Sequence, residues 1–184
     1  NGYSVDNAVI PGMARTKPFK ENGFDYGFAF GEINYRPHKS LYFAAGNGQR
    51  FIGDGYRSIL QSDNGVVSPF MQVTYTVNQK LKIHHYRNKL TNLVRRPQSA
   101  TVEALYETKL GSINYISYQA TTKWNIALFE GTVYGQGDSL NSERVSTLYY
   151  NPIPVLGALL ADPKKANSII GLQSSYHLTK SHIY

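Results

Sequence analysis

Only a few residues of this chain stand in arrangements that could do chemistry. His84 and His85 are adjacent and suggest a metal ligand pair. On a strand, however, neighbouring side chains point to opposite faces, so the two imidazoles are not expected to share one ion. Glu130 is a lone carboxylate in the apolar run Ile126-Ala127-Leu128-Phe129. It reads as a lumen-facing carboxylate paired with a basic neighbour rather than as a catalytic acid. No nucleophile motif and no phosphate-cradling glycine loop accompanies it. The sequence thus points to no catalytic residue, no metal site and no cofactor, and the chain is read as a non-enzyme.

Two groups remain as binding candidates. The first is Gly53-Asp54-Gly55-Tyr56-Arg57. Its glycines allow a tight backbone turn. Asp54 and Arg57 can pair with each other, or can hold sugar hydroxyls and acidic sugars through charge-assisted hydrogen bonds. Tyr56 can stack on a sugar ring or pack the loop. A loop that plugs or braces a lumen is preferred to direct ligand binding. The second group is basic: Arg87, Lys89, Arg95, Arg96 and Lys109, set against Glu103 and Glu107. It is expected to face outward, as ordinary solvated charge or toward anionic lipopolysaccharide or capsule.

The elements that must position these residues are strands. The chain of 184 residues holds 15 Tyr, 8 Phe and 16 Gly, no Cys, and only 17% charged residues. Aromatic and β-branched residues favour strands. The absence of Cys excludes a disulfide scaffold and cysteine-based zinc sites. The net charge of +7 reads as surface charge. Its basic residues are scattered and no nucleic-acid motif appears, so no nucleic-acid partner is expected. The longest apolar run, Val155 to Ala161, is far too short for a transmembrane helix.

One pattern occurs four times: a polar turn ending in Lys39, Lys80, Lys123 or Lys180 leads into an apolar-rich strand. Strands are expected before these turns at Phe24–Tyr35, Phe70–Val77, Ile113–Ala120 and Ile169–Leu178. Long segments at 50–68, 91–110 and 136–167 join the hairpins. Every tight turn then lies on one side and every long loop on the other, the habit of outer-membrane barrels with short periplasmic turns and long extracellular loops. Alternation agrees. Phe24, Tyr26, Phe28 and Phe30 share one face, as do Met71, Val73, Tyr75 and Val77, and Ile170, Leu172, Ser174, Tyr176 and Leu178. An apolar face toward lipid and a polar face toward a wet lumen would produce this pattern. So would a soluble antiparallel sheet with one face on a protein core. Asn151-Pro152-Ile153-Pro154 breaks any ladder, and Val155 to Ala161 is expected as a short helix inside the barrel mouth or docked to a partner.

The expected fold class is all-β, an antiparallel up-and-down transmembrane β-barrel, with 1–184 as one barrel segment. Eight strands start in the chain. The last begins at Ser181-His182-Ile183-Tyr184 and is incomplete, so a part of a larger barrel is expected, since an open edge is not tolerated in lipid.

Arg50 to Asn64, which contains Gly53-Asp54-Gly55-Tyr56-Arg57-Ser58, resembles a stretch of the capsule-assembly Wzi-like family of outer-membrane proteins, especially its gliding-motility RemB-like branch. Thr122 to Glu130, Tyr149 to Ile153 and Ala166 to Leu172 are similar to that branch in the same order. The resemblance implies a large barrel in the outer membrane of a Gram-negative bacterium. It also implies a role in surface polysaccharide (capsule) attachment or assembly, or in gliding-motility or secretion machinery of the envelope. The implied partners are outer-membrane lipid and lipopolysaccharide, surface polysaccharide and other envelope proteins in a larger complex. It carries no catalytic residue. Family members are several times longer, so strands are expected to be missing from this chain. The competing reading is a soluble, secreted carbohydrate-binding β-domain, which would purify without detergent. An outer-membrane enzyme is a third reading, and it needs a convergent acid–base or nucleophile cluster that these residues do not assemble.

Overall fold

The chain folds into two antiparallel sheets in a computed structural model that describes residues 16–21, 23–27, 29–54, 56, 58–95, 106–135, 146–178 and 181–183. Strands β1 (Thr16–Phe19) and β2 (Gly23–Tyr26) form a small hairpin. The main sheet holds eight strands in spatial order β10-β9-β8-β7-β6-β5-β4-β3, each paired only with its neighbours in sequence. They are β3 (Gly31–His38), β4 (Leu41–Gly48), β5 (Ser68–Thr76), β6 (Leu81–Arg95), β7 (Tyr106–Gln119), β8 (Trp124–Gly135), β9 (Ala166–Leu178) and β10 (Ser181–Ile183). Among the described residues the fold is thus an all-β, antiparallel meander whose outermost strands are β3 and β10, and the sheet is not closed.

The polar turns have a shared mechanism. Asn78 Oδ1 accepts from the backbone N–H of Lys80 (2.8 Å) and Leu81 (2.9 Å). Thr121 Oγ1 accepts from the N–H of Lys123 (3.3 Å) and Trp124 (3.1 Å). His38 Nδ1 accepts from Ser40 N–H at 3.2 Å. Each first residue folds the backbone over its own side chain, leaving the following residue free to start a strand. Among the described residues, the tight turns of the main sheet lie at one end of it.

The register is staggered. The cross-strand row Leu41–Tyr75–Ile83–Ile116–Leu128–Leu172 starts directly after the β3–β4 turn and ends six residues before Leu178, the last residue of β9. The turns therefore step along by about one residue per strand. With a rise of about 3.3 Å and a spacing of about 4.8 Å, that is a strand tilt of about 35°.

Pairing assigns every side chain to a face. One face carries Tyr35, Phe43, Tyr75, Tyr118, Trp124, Leu172, Tyr176 and Leu178, all exposed. Leu172 is 77% exposed and Ile33 78%. The opposite face carries Ala44, Phe70, Tyr86, Ile113, Tyr115, Ala127 and Phe129, buried together beneath Ile52 and Leu60 of the β4–β5 loop. This face is apolar at its centre and polar toward the tight turns, where Gln72, His84, Asn125 and Ser175 lie. An evenly polar lumen face does not describe it.

Other differences from expectation are instructive. The Phe24–Tyr35 stretch is not one strand: β2 ends at Tyr26, β3 starts at Gly31, and Phe28 lies outside the described residues. The first half pairs with Thr16–Phe19 instead of with the main sheet. The segment 91–110 is not all loop. Pairing continues through Thr91↔Thr108 and resumes at Arg95↔Tyr106, leaving only 96–105 between the strands. Among the described residues no helix is long and apolar enough to cross a membrane. The short helix α1 (Leu156–Leu160) forms at the expected place. It does not lie on the face of the Ile52–Leu60 loop; it packs on the opposite face, against β8 and β9.

Candidate functional site

The loop between β4 and β5 crosses the sheet instead of extending away from it. Its base is closed by Ile52 N–H donating to Gln61 O at 3.0 Å. Ser58 Oγ accepts from the N–H of Leu60 (3.1 Å) and Gln61 (3.3 Å) and donates to Ile52 O. Gly53 sits at φ +122°, where a side chain would be strained and a Cβ would meet Ser58 Oγ. This glycine aims Asp54 at strands far away in sequence. Asp54 Oδ2 accepts from Asn125 Nδ2 (2.7 Å) and from Ser175 Oγ (3.0 Å). Gln173 Nε2 donates to Asp54 O at 2.7 Å. One acidic residue thus ties the loop to β8 and β9, across the intervening strands β5, β6 and β7.

The crossing leaves a cavity of about 350 Å3 on the side of the tight turns. Asp54, Gln72, Lys82, His84, Asn125 and Ser175 line it, with Phe51 and Tyr115 as aromatic walls. Amides, hydroxyls, an ammonium and aromatic faces together suit a ligand rich in hydroxyl groups. At the entry to the loop, Arg50 Nη2 pairs with Glu32 Oε2 at 2.6 Å while its guanidinium lies 4.4 Å from the Phe70 ring centroid.

Of the residues singled out in the sequence, Asp54 lies in this site and braces the loop. Tyr56 is 88% exposed at the loop surface. Gly55, Arg57 and Arg96 lie outside the described residues. Arg95 belongs to β6 by its backbone. His84 and His85 point to opposite faces: His84 Nδ1 lies 3.0 Å from Thr74 Oγ1, and His85 Nδ1 lies 3.1 Å from Asn114 Oδ1. Glu130 lies on the face opposite Asp54, 1% exposed, with Oε1 accepting from Thr132 Oγ1 at 3.0 Å. It therefore does not face the cavity.

Arg87 corrects the expectation of an outward basic cluster. Lys89 and Lys109 are exposed, but Arg87 is 6% exposed. All five of its N–H groups are engaged. Nε donates to Tyr149 O (2.6 Å), Nη1 to Tyr86 O (2.9 Å) and Ile113 O (3.3 Å), and Nη2 to Asn114 Oδ1 (3.0 Å) and Asn151 O (2.8 Å). Asn114 Nδ2 also donates to Asn151 O, at 3.2 Å. The segment so held runs from the 3-10 turn Thr147–Tyr150 through α1. Sequence reading missed Arg87, Asn114, Asn125, Gln173 and Ser175 as fasteners. The available signal was the Asn151-Pro152 break: a turn ending at proline leaves carbonyls in need of donors.

Comparison with known protein families, with characterised proteins and with solved structures gives no match.

Proposed function

We propose that this chain is a segment of a non-enzymatic transmembrane β-barrel in a Gram-negative outer membrane. One observation carries the reading: one face of the main sheet exposes large apolar side chains on most of its strands. Each hairpin also places an aromatic residue on that face beside its tight turn, namely Tyr35, Tyr75, Tyr118 with Trp124, and Tyr176. Exposure of this extent is foreign to a soluble monomer. An aromatic collar next to short turns is what a barrel presents at the membrane–water interface. The strand tilt of about 35° lies at the lower end of the range that barrels use. The sorting of turns and loops to opposite ends supports the same reading.

The role proposed within that membrane is surface polysaccharide (capsule) attachment or assembly, or service in gliding-motility or secretion machinery of the envelope. The hydroxyl-binding character of the cavity around Asp54, Lys82 and Asn125 favours the polysaccharide role. The resemblance of Arg50 to Asn64 to Wzi-like proteins points the same way.

The test is fractionation of the native source. The protein is expected in the outer-membrane fraction and in solution only with detergent. Recovery from a detergent-free soluble fraction would overturn the membrane reading in favour of a secreted carbohydrate-binding domain. Purified surface polysaccharide should then bind the detergent-extracted protein and lose affinity with Lys82→Ala. Unchanged binding in that variant removes the cavity from the proposal.

A further inference from the structure

The exposed apolar face has a polar gap. On β6, β7 and β8 it carries Arg87, Ser112, Asn114, Glu130 and Thr132, all buried. They are buried because residues 146–161 lie over them. Gly157 rests against Glu130 so closely that a Cβ would collide with Oε1. The Tyr134 and Tyr149 rings meet edge to face at 6.0 Å. Val155, a β-branched residue, is held at φ 79°, a conformation it adopts only under constraint from its surroundings.

The outer side of this segment has the opposite character. Tyr150, Ile153, Leu156, Leu159 and Leu160 are exposed, Leu159 at 69%. No charged residue occurs between Arg144 and Asp162. The cover thus replaces buried polar side chains with a surface of leucine and isoleucine, continuous with Ile170 and Leu172 on β9.

We infer that residues 146–161 are a strap lying against lipid acyl chains, which completes the apolar belt where the strands themselves are polar. The inference rests on the membrane reading above. Height agrees with it. Glu130 is six residues along β8 from Trp124, about 16 Å from the aromatic collar at the tilt derived above, within an apolar band about 25 Å tall. The strap therefore serves the loop-side half of the belt. Irregular backbone is tolerated at that depth only where it is buried in protein, so the backbone polar groups of the strap must turn inward while its side chains meet lipid. On that inner side Arg87 and Asn114 donate to the carbonyls of Tyr149 and Asn151. The charge that would be unwelcome in lipid is spent holding the cover that hides it.

This chain contains one tryptophan, Trp124, and any tryptophan elsewhere in the full-length protein is replaced by phenylalanine as well. The full-length protein carrying Trp124→Phe with Leu159→Trp, and a second carrying Trp124→Phe with Leu172→Trp, are placed in phosphatidylcholine vesicles brominated at mid-chain. Leu160→Trp replaces Leu159→Trp if that variant does not refold. Loss of fluorescence to a similar extent at both positions is the expected result. Quenching at Leu172→Trp with none at the strap overturns the inference and leaves the barrel reading intact. Quenching at neither position overturns both.

Discussion

Arg87 Nε donates to the carbonyl of Tyr149 at 2.6 Å, joining residues 62 positions apart. The guanidinium fork meets five acceptors at once, a geometry an ammonium group cannot reproduce. Arg87→Lys should therefore lower stability by about 1.5–3 kcal/mol. It should also expose residues 146–161 to protease. Denaturant unfolding together with limited proteolysis checks this. A lysine variant as stable and as resistant as the parent would show that the clasp does not hold the strap.

The second clasp, on the other face, joins Asp54 to Asn125 and Ser175. A double-mutant cycle with Asp54→Ala and Asn125→Ala should give a coupling of about 0.5–3 kcal/mol, because the two groups share one half-buried network. Additive losses would mean that the loop is held by other contacts.

Gly171 lies under the Phe129 ring, where a Cβ would overlap Cζ, Cε1 and Cε2. Gly171→Ala should cost about 1–3 kcal/mol through overpacking. Gly27 has open space around it, and Gly27→Ala should stay within about 0.5 kcal/mol of the parent. Equal effects at the two positions would contradict this packing.

Leu172→Arg separates the membrane and soluble readings by energy. At a highly exposed position of a soluble sheet, arginine costs almost nothing. Facing lipid near the bilayer midplane it costs about 2–4 kcal/mol. Unfolding of the parent and the variant in vesicles measures the difference, and a value near zero argues against lipid at this face.

Much of the fold was legible in the residues alone. Alternation separates the two faces in Met71–Val77 and Ile169–Leu178, because the side-chain period of a strand is two whatever it packs against. Asn78 and Thr121 mark turns because their side chains cap the following N–H groups locally. The same period places His84 and His85 on opposite faces. The eight strands of the main sheet and the short helix after Pro154 also follow from patterns a few residues long, whereas the hairpin of Thr16–Phe19 with Gly23–Tyr26 does not.

Tertiary structure decided everything that depends on partners distant in sequence. Nothing near Asp54 announces Asn125 or Ser175, and nothing near Arg87 announces Tyr149. Arg87 reads as a loop-side surface cation until residues 146–161 fold over it. Phe24 to Gly31 alternates like a strand of the main sheet, yet its first half hydrogen-bonds to Thr16–Phe19. Periodicity is a local property of the backbone and dictates which way a side chain points. Which surface it meets is settled by chain closure over tens of residues, where the sum of hydrogen bonds and buried area selects one pairing among several that local pattern allows.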